Sequence, residues 1–479
     1  MIGNNNHWLL SAVQNSPDST AVEYDGHYYT YAEIYETVAN IARSLKTFDI
    51  KEGSKAGVLA KNQLNFFLLV NAIWISGAVV IPINYRLTEK ESAELLKNIK
   101  PDILIYDGKP VGLDKEIPSV EAEFLFQNNP GKEYTAARFD PSRHAVIILT
   151  SGSSGKPKGI VHTFDTIYNS VFSFSEFFNP SEESRWLASL PLYHIGGFMI
   201  LCRALLLRHK ITLLPDPSFD RIKKILQEET FDFLSLVPTQ LKTLLDENFN
   251  PVAKTVFLGG APAETELVNR ATELGWNIVK VYGSTETCSM VTALEVYKRR
   301  DKINSSGKPM PGCQIAIMQN DKFLPPGERG EIYVKSPSNF VGIFYPGGIY
   351  RSEEYFRTGD IGFFDNEGFL YVEGRRDDII ITGGVNVSSG EVLKALRKLE
   401  YISDAYVFAE KDEKWGSRIS AAVVVGKNYE ISEAKIKEDL KSFLASFKIP
   451  KKIYFLPEIP RNEMGKINPE KLFKLLNQV

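Results

Sequence analysis

Ten consecutive residues carry the strongest chemical signal in the chain: Thr150, Ser151, Gly152, Ser153, Ser154, Gly155, Lys156, Pro157, Lys158 and Gly159. Three glycines keep side chains away from a ligand and free the backbone for positive φ. Four hydroxyls and two lysines then face whatever the loop encloses. Successive backbone N–H groups in such a loop form an anion-binding nest, so the pattern predicts a polyphosphate ligand. No Gly-Lys-Ser/Thr stands at the Walker spacing, which excludes a P-loop. The apolar run Ala145–Leu149 ahead of the loop reads as a buried strand, and a helix is predicted from about Thr166.

Further short motifs follow in order. They are Leu190-Pro-Leu-Tyr-His194-Ile-Gly196-Gly197, Gly259-Gly260-Ala261-Pro262, Tyr282-Gly283-Ser284-Thr285-Glu286, Thr358-Gly-Asp360, Gly374-Arg375-Arg376-Asp377-Asp378 and Pro460-Arg-Asn-Glu-Met-Gly-Lys466. Singly, each has an ordinary reading. Glu286 is then an exposed carboxylate after a turn, Asp360 a turn or cap residue, and Lys466 a solvated charge. His194 either packs in the core or walls a site. Arg203 lies inside the apolar run Phe198–Leu207, so it needs a partner or must snorkel.

Regular elements must position these residues. Strand and helix patterns alternate from Ile211 to Tyr282, which predicts a parallel sheet covered on both faces. Ligands bind outside the carboxyl ends of such strands. The Thr150 loop, Gly259–Pro262 and Gly283–Glu286 are all expected there. Thr30 and Glu33 form a capping-box pattern. Leu64–Ile83 is broken by Asn65, Asn71, Ser76–Gly77 and Pro82, so it reads as a buried helix, a turn and a strand, not a membrane span. Residues 307–374 are rich in short strands and turns. Roughly the last 100 residues alternate strand and helix, as a small α+β domain would.

The bulk numbers, 479 residues and 43% hydrophobic, are enough for a large core and more than one domain. A net charge of −3 offers no basic field for nucleic acid. Three scattered cysteines, Cys202, Cys288 and Cys313, fit a reducing compartment and suit neither disulfides nor a zinc site. The first fifteen residues lack the pattern of a signal peptide, so a cytoplasmic location is expected.

Taken together and in this order, the motifs resemble the acyl-adenylate-forming superfamily of acyl-CoA synthetases, luciferases and peptide-synthetase adenylation domains. Ser154 stands where that superfamily more often has threonine. The resemblance implies an α/β fold. A large N-terminal ATP- and acyl-binding domain (1–374), with parallel sheets covered by helices, is followed by a hinge (375–380, with Asp377) and a small mobile α+β C-terminal domain (381–479) carrying the catalytic Lys466. It also implies ATP and Mg²⁺, with coenzyme A as co-substrate. Residues Thr150 to Gly155 and Lys158 would hold the ATP phosphates, Glu286 the Mg²⁺, and Thr285 the α-phosphate. Tyr282, Gly283 and the Gly259–Gly260–Ala261 loop would take the adenine, and Asp360 and Arg375 the ribose. Lys466 would bridge the acid and the α-phosphate.

Within that superfamily the run Leu190–Arg203 looks most like the o-succinylbenzoate–CoA ligases of menaquinone synthesis. His194, Gly196 and Arg203 then fall at the acid. Val385 and Ser388–Ser389 depart from the pattern of that subgroup. Two alternatives stay open: another aryl- or medium-chain acyl-CoA synthetase, and a stand-alone adenylation module loading a carrier protein. The expected partners are small molecules, with neither nucleic acid nor a membrane span. Oligomeric state is left open, a homodimer included.

Overall fold

The computed structural model describes residues 6–61, 63–108, 116–127, 134–151, 157–216, 218–345, 348–351, 355–375, 379–382, 385–412, 416–426, 429–444, 446–462 and 465–476. The chain divides into two compact units. One comprises Met1–Gln314 with Val334–Phe356, the other Ile315–Tyr333 with Arg357–Val479.

The first unit is built on two large sheets. The eight-stranded sheet runs in the order Gly348–Arg351, Gly342–Tyr345, Pro157–Thr163, His144–Ser151, Val79–Pro82, Lys55–Leu59, Ile103–Tyr106, Ser119–Glu121. The nine-stranded sheet runs Lys308–Pro309, Ser289–Glu295, Ile278–Ser284, Ala253–Leu258, Phe231–Leu236, Arg185–Leu187, Lys210–Leu213, Thr20–Tyr24, His27–Thr30. Their centres are parallel, as the alternating pattern predicts. Both edges of the nine-stranded sheet, and the Gly348–Arg351 edge of the eight-stranded one, are antiparallel, which the pattern did not disclose; the Ser119–Glu121 edge is parallel.

The covering helices follow from their sequences. Leu64–Ile75 is apolar on every face and ten of its residues are buried, as in a helix enclosed on all sides. Its one buried amide, Asn71, donates to the Phe67 carbonyl at 2.9 Å. Ile195–Leu207 is of the same kind. Tyr31–Lys46 starts on the expected capping box: Glu33 N–H donates to Thr30 Oγ1 at 3.2 Å, and Thr30 N–H to Glu33 Oε2 at 2.8 Å. No helix among the described residues is long and apolar enough to cross a membrane.

The second unit holds a five-stranded sheet ordered Lys322–Phe323, Gln314–Gln319, Gly330–Lys335, Phe356–Phe364, Leu370–Arg375. It continues into a hairpin, Ile379–Thr382 with Val385–Ser388, and a three-stranded sheet of Ile402–Asp412, Gly416–Val425 and Lys452–Phe455. The helices Ser389–Leu396 and Glu433–Leu440 pack one hydrophobic core there, and Pro469–Leu476 a second. The expected small α+β arrangement is thus present.

Candidate active site

The strand His144–Ser151 is longer than the apolar run suggested, and it does not lead into a helix. It turns into a second strand, Pro157–Thr163, antiparallel to it with Thr150 opposite Lys158. The expected strand–loop–helix is therefore a hairpin, and the helix starts after it, at Phe164. Proline at the first residue of a strand is tolerated, and Gly159 is where Phe344 of the neighbouring strand approaches. A Cβ on Gly159 would lie 2.4 Å from Ile147 Cγ2 and 3.2 Å from Phe344 Cβ. Thr150 Oγ1 donates to the Lys158 carbonyl at 3.4 Å. The predicted phosphate residues Gly152, Ser153, Ser154 and Gly155, with Lys156, lie outside the described residues, as do Asp377 and Gly383–Gly384.

The hairpin belongs to the eight-stranded sheet. Gly259–Gly260–Ala261 and Gly283–Glu286 instead end two neighbouring parallel strands of the nine-stranded sheet. The single sheet end expected for all three loops is thus corrected to two sheets. Alternation in sequence counts elements but does not say which sheet each one joins.

Bonds across the sheets bring the loops together. Lys158 Nζ lies 2.9 Å from Glu286 Oε1, with side chains 26% and 15% exposed. Burial would raise the Glu286 carboxyl, but the Lys158 charge and hydrogen bond outweigh it and hold it below its ordinary 4.5. An ionised carboxylate, largely shielded from water beside an ammonium, suits a hard divalent cation shared with nucleotide phosphates. Thr285 is next to it, and its carbonyl accepts from His162 Nε2 at 2.8 Å. Tyr282 lies on the strand itself, opposite Thr292. Gly283 is needed where it stands, because a Cβ there would meet the Ser289 carbonyl oxygen at 1.7 Å. Gly260 has φ +80°, a left-handed conformation that glycine adopts without strain.

His194 precedes the helix Ile195–Leu207, half-buried, its ring 4.7 Å from that of Tyr193. Arg203 is 1% exposed on the same helix. Its guanidinium lies over the rings of Phe174 (5.0 Å) and Trp186 (5.6 Å). Ser289 Oγ is 3.4 Å away, and no hydrogen bond satisfies Nε. Among the described residues no carboxylate pairs with it, and burial lowers its pKa to about 10.

The second unit carries the remaining candidates. Asp360 and Arg375 are register partners on adjacent antiparallel strands, so two residues assigned to one ribose share one stretch of sheet. Asp360 N–H donates to Thr358 Oγ1 at 3.0 Å, and that hydroxyl to the Ile332 carbonyl at 2.8 Å. Lys466 is exposed and closes a loop in which Arg461 donates to both oxygens of Asp404 at 2.8 Å and to the Gly465 carbonyl at 3.0 Å.

The profile of the family described as "AMP-binding enzyme" matches residues 9–344, and that of the "AMP-binding enzyme C-terminal domain" matches residues 391–466. The chain belongs to the AMP-binding enzyme family. Among relatives in that family, the 2-succinylbenzoate–CoA ligase of Bacillus cereus (strain ZK / E33L) is 32% identical over 481 residues, covering 99% of each chain. Two solved structures of o-succinylbenzoate coenzyme A synthetase from Bacillus subtilis are similar throughout. The form with ATP and magnesium ion superposes with a TM-score of 0.87 at 29% identity, covering 98% of this chain and 99% of that one. The form with the acyl-adenylate intermediate gives 0.86 at 29% identity, covering 97% of each.

Sequence reasoning missed two residues in this family member. His162 carries no motif of its own, and its partner is a backbone carbonyl 123 positions away. Gly197 is under tighter steric demand than Gly196, since a Cβ on it would fall 2.2 Å from the Pro191 carbonyl oxygen. The Gly-Gly pair was the only signal for it.

Proposed function

We propose that this protein is an ATP-dependent acid–CoA ligase whose acid is o-succinylbenzoate. The observation that carries the choice of acid is Arg203, a fully buried cation with no carboxylate partner among the described residues. Such a charge is costly unless a bound anion compensates it. A second carboxylate on the substrate supplies that anion, and the full-length relatives act, by name, on a dicarboxylic acid of this kind.

In the first half-reaction one carboxylate of the acid attacks the α-phosphorus of ATP. The α–β anhydride bond breaks, pyrophosphate leaves, and acyl-AMP remains. Catalysis of this kind is mostly positioning and charge neutralisation. Lys158, with Thr150, Ser151 and the loop to Gly155, holds the phosphates, and Thr285 bonds the α-phosphate. Mg²⁺, when bound, supplies further positive charge to those phosphates, and Glu286 would hold it. Tyr282, Gly283 and Gly259–Ala261 flank the adenine, Asp360 takes the ribose hydroxyls with Arg375 beside it, and Lys466 stabilises the charge passing between acid and α-phosphate. In the second half-reaction the CoA thiol attacks the acyl carbonyl and AMP leaves. His194 and Gly196 border the acid. Residues 1–374 form the ATP- and acyl-binding part, 375–380 the hinge, and 381–479 the mobile part. Chemistry on soluble metabolites places the enzyme in the cytoplasm.

The test is pyrophosphate release across aryl, dicarboxylic, fatty and amino acids, with CoA as acceptor and the thioester product identified. o-Succinylbenzoate is expected to give the highest kcat/KM. Benzoate or octanoate turned over as well or better, with o-succinylbenzoate inert, sinks the assignment.

A further inference from the structure

The loop that carries Glu286 is strained. Cys288 and Ser289, neither of them glycine, have φ +55° and +90°. Consecutive non-glycine residues in this region are costly and persist only where the surroundings over-determine them. The surroundings here can be named. His162 Nε2 meets the Thr285 carbonyl at 2.8 Å, and Phe340 N–H donates to the Glu286 carbonyl at 2.8 Å. Ser338 Oγ donates to the Thr287 carbonyl at 3.2 Å, and Ser170 Oγ to the Cys288 carbonyl at 2.8 Å. Four successive carbonyls are thus held by the hairpin strand, the segment before Gly342, and the helix Phe164–Phe178.

His162 is fully buried, and its chemistry is fixed by its partners. A carbonyl only accepts, so Nε2 carries the proton. Nδ1 lies 3.2 Å from Thr166 Oγ1, in the capping box that starts the helix. Burial holds the ring neutral by lowering its pKa to about 4. The residue lies four positions beyond Lys158 on the same strand. One strand therefore presents the lysine to the Glu286 side chain and the imidazole to the backbone one residue earlier.

We propose that His162 is a positioning residue of the adenylation step: through the Thr285 carbonyl it fixes Thr285 and Glu286 against Lys158, with Ser170 as the second tie. This rests on the reading of Glu286 as the residue that holds Mg²⁺, but not on the identity of the acid.

The experiment uses the full-length enzyme and whichever acid the wild type turns over best, so failure of o-succinylbenzoate leaves it intact. His162→Leu removes the donor at similar bulk, and His162→Gln keeps one. Single-turnover adenylation is measured against Mg²⁺ concentration. Thioester formation from synthetic acyl-AMP and CoA, which needs no metal, is measured in parallel. His162→Leu is expected to lose about tenfold in adenylation, the size of one lost hydrogen bond, with the half-saturating Mg²⁺ concentration raised. Its thioester step should stay within about twofold of wild type, a split that the metal requirement of only one half-reaction dictates, and His162→Gln should recover most of the loss. Wild-type adenylation and Mg²⁺ dependence in His162→Leu overturn the proposal. So does equal loss of both half-reactions with no rescue by glutamine. Should His162→Leu not fold, Ser170→Ala decides by the same readouts: a selective adenylation loss supports the proposal, and no loss or a uniform one overturns it.

Discussion

Lys158 and Glu286, 128 positions apart in sequence, pair at 2.9 Å across the gap between the two sheets. The pair leaves the carboxylate charged and its neighbour cationic before any ligand arrives. Binding Mg²⁺ with ATP then exchanges partners of like charge without uncovering an unpaired group. Glu286→Gln should abolish Mg²⁺-dependent pyrophosphate release, costing about 3 kcal/mol or more of transition-state stabilisation. Glutamine keeps the bulk and a hydrogen-bond acceptor for Lys158, whose side chain, 26% exposed, still reaches water, so the melting temperature should move little. A kcat within a few-fold of wild type takes Glu286 out of the site.

Acid stability should follow the buried histidines. Burial lowers His7, His162 and His209 from 6.5 to about 4. A neutral native imidazole stabilises the fold fully above 6.5, where the unfolded chain is neutral too, and that contribution is lost as pH falls from 6.5 toward 4. At about 1.4 kcal/mol per pKa unit, fully buried His162 alone accounts for about 3 kcal/mol by pH 4. The depressed Glu286 carboxyl acts later: its contribution is present above 4.5 and is lost only as pH falls through its lower folded value. Urea unfolding between pH 7.5 and 4.5 should show falling stability, with a shallower slope in His162→Gln. An unchanged slope would show that His162 titrates alike in both states.

Gly196 and Gly197 should behave differently. Alanine at Gly197 would put its Cβ 2.2 Å from the Pro191 carbonyl oxygen, which is backbone and cannot swing aside. Alanine at Gly196 has only Leu190 Cδ1 nearby, at 3.4 Å, an ordinary contact. Gly197→Ala should lower unfolding free energy by about 1–3 kcal/mol, and Gly196→Ala should melt like wild type and change only the KM for the acid. Equal melting temperatures for the two variants contradict this steric reading.

Arg203 stacks on Phe174 and Trp186 without a carboxylate partner among the described residues. Replacing a buried, poorly compensated charge with a hydrophobic residue of similar volume is often neutral or stabilising. Arg203→Met should therefore keep or raise stability while kcat/KM for o-succinylbenzoate falls about 100-fold, since truncating one side of a buried charge pair costs 2–5 kcal/mol or more. Monocarboxylic aryl acids should be spared. Unaltered selectivity between the two acid classes makes the guanidinium purely structural.

The sequence disclosed whatever is local. Thr30 and Glu33 are three residues apart and cap the same turn, so their box is visible in a string of letters. Leu64–Ile75 and Val79–Pro82 follow from an apolar run broken at Ser76–Gly77. The hairpin strand Pro157–Thr163 was hidden because its first three residues read as loop. His162 was hidden because a side chain bonding a distant carbonyl leaves no trace in spacing. The left-handed Cys288 and Ser289 are set by tertiary bonds that override local preference. Of the candidate site, the motif order was legible, and the division of its loops between two sheets was not.

Lys466 gives the sharpest separation of the two half-reactions. Its backbone is fastened on both sides: its N–H donates to Asn462 Oδ1 at 3.0 Å, and its carbonyl accepts from Asn462 N–H at 2.7 Å. Gly465 supplies the φ of +69° that the turn requires. Arg461 braces the loop against Asp404. The side chain itself is exposed, so removing it should cost little stability. Lys466→Ala should lose adenylation by about 10³-fold, the loss of one well-placed cation at the transferring group, yet still convert supplied acyl-AMP and CoA to thioester. Asp377, in the proposed hinge and outside the described residues, gives the reciprocal test. Proline there would fix φ near −65°, sparing pyrophosphate release and blocking thioester formation. Both variants are assayed by single turnover, from acid plus ATP and from synthetic acyl-AMP plus CoA. If folded Lys466→Ala loses both steps equally, or Asp377→Pro keeps full thioester formation, the two half-reactions do not use the C-terminal part in turn.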